Sequence, residues 1–151
     1  MAPIRKILVA HDFSETAVRA MDLAIDLAGR LNASITVVHT YELGLPTVPF
    51  GIDPIPELDE PIAKAGRDTL DAIVSRAKGA GVSAIEGVIR QGAPWVEIGA
   101  LADQMKADLI VMGTHGRRGW AHAWLGSVAE RVIRTAPCAV LTVRAEPGSN
   151  P

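Results

Sequence analysis

One stretch of this chain carries residues whose types and spacing suit the binding of an anion. It reads Asp108-Leu-Ile-Val-Met112, then Gly113-Thr-His-Gly116, nine further residues, and then Gly126-Ser127-Val128-Ala-Glu130. Leu109 to Met112 is an apolar run of strand length, and Gly113 breaks it. Ser127 with Glu130 three residues on has the pattern of a capping box, which places a helix N-terminus at Ser127. A strand, a glycine-bearing loop and a helix start bring unsatisfied N–H groups and the positive end of a helix dipole to one spot, a cradle suited to phosphate. Glycine at these points lets main chain approach a ligand with no Cβ between. The same residues also have plain structural uses, since glycine permits turns and serine caps helices. Arg117 and Arg118 follow directly and could reach a polyphosphate with forked donors, or simply form a solvated pair.

Other chemistries lack their residues. The Gly-x4-Gly-Lys-(Ser/Thr) loop of P-loop enzymes is absent, and the turn after the first strand is His11-Asp12-Phe13-Ser14 rather than a dinucleotide fingerprint. The third strand ends in Arg90-Gln91, with no acceptor aspartate for a response regulator. His115 and His122 have no third ligand at metal spacing, so no metal site is expected. No nucleophile elbow or triad is present, so no catalytic residue is assigned. His11 and His39 read as core or pocket-rim histidines, and Cys138 as a small buried hydrophobe.

These residues need a scaffold, and the rest of the chain supplies one. Ile4 to Ala10 and Ser34 to Thr40 read as strands, the first continuously apolar, as expected in a parallel sheet covered on both faces. Between them Val18, Met21, Ala24, Ile25, Ala28 and Leu31 recur at helical steps, with Ser14 or Asp12 as the cap and Asn32 as the end. Glu42 to Pro56 holds four prolines and two glycines and reads as a long irregular loop, packed over a ligand mouth or a partner subunit, or else partly disordered. A helix from Leu58 to Ala77 follows, closed by Gly79 and Gly81, then an edge strand from Val82 to Arg90. Pro94 opens a third helix with Trp95, Ile98, Ala102 and Met105 as its buried stripe. After the glycine stretch, Pro137 stops the last helix and Cys138 to Val143 forms a fifth strand. Trp120 and Trp124, in the nine-residue spacer, could pack on the core, cover a ligand or face a partner. Alternating strands and helices predict one α/β domain over residues 1–144, doubly wound around a parallel sheet, with 145–151 a tail. Ligands on such sheets lie at the carboxyl ends of the strands, which here brings Asp12 towards the loop from Gly113.

Composition agrees with a single globular domain. At 151 residues, 48% hydrophobic and with a net charge of −2, the chain can bury a core and offers no basic face for nucleic acid. Its apolar runs are too short to span a membrane, and one cysteine permits no internal disulfide, so a cytoplasmic setting is expected.

The Gly-x2-Gly-x9-Gly-Ser spacing, with the order and length of the elements, resembles the ATP-binding branch of the universal stress protein family. The resemblance covers nearly the whole chain and implies a Rossmann-like sheet of strand order 3-2-1-4-5. It implies ATP, accompanied by Mg, as the ligand. Gly113 and Gly116 would meet the phosphates and ribose, and Gly126, Ser127 and Val128 the β- and γ-phosphates. Asp12 would lie against the adenine, the main chain of Thr40 would read the adenine edge, and Met112 would line the same pocket. It further implies a homodimer paired through Cys138 to Val143. Slow or no ATP hydrolysis is the expected activity, because no dedicated base or arginine finger stands in the motif. A nucleotide-independent interaction module and a switch responsive to AMP or cyclic AMP are the competing expectations.

Overall fold

The computed structural model describes residues 3–43, 56–115 and 125–145. Along them strands and helices alternate: β1 (Lys6–Ala10), α1 (Glu15–Leu31), β2 (Ser34–Tyr41), α2 (Pro56–Gly79), β3 (Ile85–Gln91), α3 (Pro94–Met105), β4 (Leu109–Gly113), α4 (Ser127–Thr135) and β5 (Ala139–Val143). The five strands form one sheet in the order β3-β2-β1-β4-β5. Every pairing in it is parallel. The doubly wound α/β fold expected from the sequence is thus the fold observed.

Side-chain alternation along the strands divides the core in two. Val9 lies opposite Val37 on one side and Val111 on the other, and these three valines are fully buried together with Ile7, Met21 and Leu70. That face is covered by α1 and α2. Leu8 and Ile110 point the other way and pack with Ile98, Leu101 and Val132, beneath α3 and α4. With both faces covered, the central strands read as unbroken apolar runs. The chain moves outward from β1 to β2 and β3, then crosses back to β4. The switch point therefore lies between β1 and β4, with Asp12 and Gly113 at its rim.

Several boundaries differ from the sequence expectation, each for a local reason. The last helix is capped by Gly126, not Ser127. Gly126 is extended, with φ −71° and ψ 155°, and no side chain caps the helix. Its carbonyl accepts Glu130 N at 2.9 Å, which defines the cap position and makes Ser127 the first helical residue. Glu130 is then one position too far on to close a capping box and pairs with Arg134 at 2.9 Å. The third strand begins at Ile85 rather than Val82, because Val82 belongs to the exit of α2. Gly81 takes φ 98°, and Gly81 N and Val82 N donate to Lys78 O and Ala77 O, a Schellman closure. Pro56, counted with the loop in the sequence, opens α2. Leu101, missing from the expected stripe of α3, is buried with Ile98 and Ala102. The last strand starts one residue after Cys138, whose half-buried thiol is pushed up mainly by burial.

Candidate functional site

Where β1 ends, the main chain makes a turn that its own side chains hold. Asp12 Oδ1 accepts the amide of Ser14 at 3.0 Å and the hydroxyl of Ser14 at 2.5 Å. Ser14, not Asp12, is the N-cap of α1, and its Oγ accepts the amide of Ala17 at 3.2 Å. Phe13 between them has φ 66°. The other non-glycine residues with positive φ among those described, Asn32 and Lys106, end helices. Phe13 takes that conformation directly after His11 and Asp12, and its neighbours explain how it is held. Its amide donates to His11 Nδ1 at 3.1 Å, and its ring stacks on His39 with centroids 4.1 Å apart. His39 Nδ1 donates to the carbonyl of His11 at 2.8 Å.

Because His11 Nδ1 accepts, the neutral ring carries its proton on Nε2. That atom is buried and lacks a hydrogen-bond partner among the described residues. The ring is 4% exposed, and burial above all lowers its pKa to about 4. His11 and His39 are therefore structural supports of the Asp12 turn, as core and rim histidines should be.

The end of β2 forms the second wall. Ser34 N donates to Arg5 O, and Val38 O accepts His11 N, so alternate peptides of β2 face β1. Thr40 is next in that series. Since β1 stops at Ala10 and the chain turns away, the peptide N–H and C=O of Thr40 have no backbone partner among the described residues. They form a short free sheet edge inside a crevice, the arrangement that reads a planar heterocycle with a donor and an acceptor. Tyr41 beside it donates its hydroxyl to Asp59 Oδ1 at 2.7 Å, tying α2 to the rim.

The third wall is the glycine stretch. Thr114 N donates to Val143 O at 2.8 Å, and Gly126 N donates to Thr114 O at 2.6 Å, so the two ends of the spacer are clasped together. Beyond the clasp, Ser127, Val128 and Ala129 open α4, where no preceding turn accepts their amides. Three N–H groups and the helix dipole thus face one point. The missing side chains of this motif face protein rather than open space. A Cβ on Gly113 would stand 2.5 Å from Thr16 Oγ1, and one on Gly126 2.8 Å from Thr114 O.

These walls enclose one crevice of about 720 Å³, lined by Asp12, Thr40, Met112, Gly113, Gly126, Ser127 and Val128 among others. That volume suits a ligand of nucleotide size. All but two of the expected site residues are in it. Gly116 and Arg117, with Arg118, Trp120, His122, Trp124 and most of the proline-rich loop, lie outside the described residues. The sequence reading missed Thr16, Tyr41 and Ile62. Thr16 and Tyr41 lie within or beside recognisable turns, but nothing in their spacing distinguishes them from ordinary helix and strand residues. Among the described residues no group of three potential ligands could hold a metal ion, and no helix is long and apolar enough to cross a membrane.

Comparison with known proteins gives one family. A model described as the universal stress protein family matches residues 3–144. A universal stress protein of Methanocaldococcus jannaschii is 36% identical over 141 residues, covering 93% of this chain and 82% of its own length. Among solved structures, universal stress protein UspA from Lactobacillus plantarum has a TM-score of 0.85 at 27% identity, covering 95% of this chain and 100% of that one. A universal stress protein in complex with cAMP has a TM-score of 0.70 at 31% identity, covering 95% and 98%. The universal stress protein from Archaeoglobus fulgidus in complex with dAMP has a TM-score of 0.65 at 28% identity, covering 94% and 99%.

Proposed function

The chain belongs to the universal stress protein family, and we propose on that premise that it is an ATP-holding stress or signalling module with slow or no hydrolysis. One observation carries the reading: a peptide edge at Thr40 and three amides at the start of α4, none with a backbone partner among the described residues, line the same crevice as Asp12. The edge suits adenine, and the amides suit phosphate. Asp12 and His11 are engaged by Ser14 and the Phe13 amide, so they bind and orient rather than activate water. Magnesium accompanying the nucleotide would be held by phosphate oxygens and by water, with no set of protein carboxylates required. The cAMP and dAMP complexes of similar proteins favour a second reading, a switch responding to an adenosine monophosphate. We also take the free edge of β5 as the pairing surface for a second copy of the chain, a point that mass in solution decides.

Calorimetric titration with ATP, ADP, AMP and cyclic AMP tests the reading. Ser127→Pro removes one free amide at a position where proline suits the helix, since Gly126 before it is extended. Ser127→Ala removes only the hydroxyl. ATP affinity should fall by about tenfold in Ser127→Pro, and less in Ser127→Ala. Preference for AMP or cyclic AMP over ATP would move the second reading ahead. A nucleotide-free, folded wild type that binds none of the four would leave a nucleotide-independent interaction module in front.

A further inference from the structure

Thr16 belongs to no motif in the sequence, yet its side chain joins the two walls of the crevice. It stands in the first turn of α1, 6% exposed. Its hydroxyl donates to the main-chain carbonyl of His115, ninety-nine residues further along the chain. Space for that hydroxyl exists because residue 113 is glycine: any Cβ there would collide with Thr16 Oγ1 and with its Cβ, at 2.8 Å. On the same turn, Ser14 holds Asp12 through its amide and its hydroxyl. Ser14 Oγ and Thr16 Oγ1 lie 3.1 Å apart.

The grip of Thr16 is passed along the main chain. His115 follows Thr114, whose carbonyl accepts Gly126 N at 2.6 Å, and Gly126 is the residue from which α4 starts. One helical turn therefore holds Asp12 with one hydroxyl and the base of the phosphate cradle with the other. Only two hydroxyl protons serve the three contacts. That of Ser14 goes to Asp12 and that of Thr16 to His115, which leaves the 3.1 Å contact between them without one. The two grips are separate, and either can be cut alone.

We propose that Thr16 is a positioning residue that sets the separation between the nucleoside end of the crevice, at Asp12, and its phosphate end, at α4. The inference rests on the nucleotide reading and deepens it. A ligand that spans both ends depends on the strut, whereas a ligand confined to one end does not. A threonine that merely anchored α1 would affect both kinds of ligand alike.

The test compares ATP with adenosine by calorimetric titration of the full chain. Thr16→Val keeps the shape against Gly113 and loses the donor, Thr16→Ser keeps the donor, and Thr16→Ala is a second deletion. The expected result is a loss of about tenfold in ATP affinity in Thr16→Val and Thr16→Ala, with adenosine within twofold of wild type and ATP recovered in Thr16→Ser. Equal losses for ATP and adenosine, or no loss for either, would overturn the positioning role while leaving the nucleotide reading intact. A wild type that binds neither ligand would overturn both together.

Discussion

A neutral histidine buried beside the Asp12 turn makes the fold sensitive to acid. His11 is charged below about pH 6.5 in the unfolded chain and only below about 4 in the folded one. Between those values the unfolded state holds the extra proton, so stability rises with pH across that window and is complete above it. The charges acting on the ring are Asp12 and Asp22, which favour its proton, and His39 and Arg76, which oppose it, and desolvation outweighs them all. Protonation would also take the acceptor from the Phe13 amide and free the strained turn. Asparagine at this position keeps an acceptor near Nδ1 without titrating. The urea midpoint of wild type should therefore fall more steeply than that of His11→Asn from pH 6.5 to 4, and parallel profiles would refute the assignment. At this scale the sequence picked out residues that the fold gathers around one crevice, but not what holds them. Asp12 and Ser127 are recognisable by position, whereas the positive φ of Phe13 and the cap at Gly126 depend on backbone that no residue type announces.

Elements were legible where one physical cause dominated. Continuous apolar runs marked the buried strands, and the three-four spacing marked α1, because burial on both faces or on one leaves that signature. Boundaries were obscured where one residue type answers to two causes. Val82 is apolar because it closes the Schellman exit of α2, not because it starts a strand. Gly87 suits an edge strand by composition, but the structure gives it a different reason: a Cβ there would lie 2.8 Å from Leu70 Cγ and 2.9 Å from its Cδ2. Helix α2 packs onto β3 at that point, with Leu70 only 2% exposed. Gly87→Ala should destabilise the fold by about 1–3 kcal/mol through overpacking. Urea unfolding measures this, and a neutral or stabilised variant would show that Leu70 can move aside. Gly81→Ala is a poor comparison, since its strain comes from φ rather than from contact.

Across the whole molecule, the order β3-β2-β1-β4-β5 leaves β5 open at one edge. Val143 O is bonded to Thr114 N within the sheet, so alternation turns the peptide of Thr142 outward. A second copy pairing there would use that amide. Thr142→Pro removes it without touching a backbone bond among the described residues, as edge positions allow. Light scattering at micromolar concentration should give a dimer for wild type and half that mass for Thr142→Pro, and a monomeric wild type would end the pairing proposal. The topology was readable from the alternation of strands and helices together with the family resemblance. The pinning of the two loops across the switch point was not, because Thr16 and His115 are far apart in the chain and meet only when β1 and β4 lie side by side.

At both ends of the crevice the groups left without a backbone partner among the described residues are peptide groups, at Thr40 and at the start of α4. If the proposed ligand is read there, a site written in main chain would be insulated from most coding changes. Substitution at position 40 alters the contour of the wall, but every amino acid except proline supplies the same donor and acceptor. Under that reading the contact would survive drift at these codons, and an alanine scan would pass over it in silence. Proline is the one replacement that would make it audible.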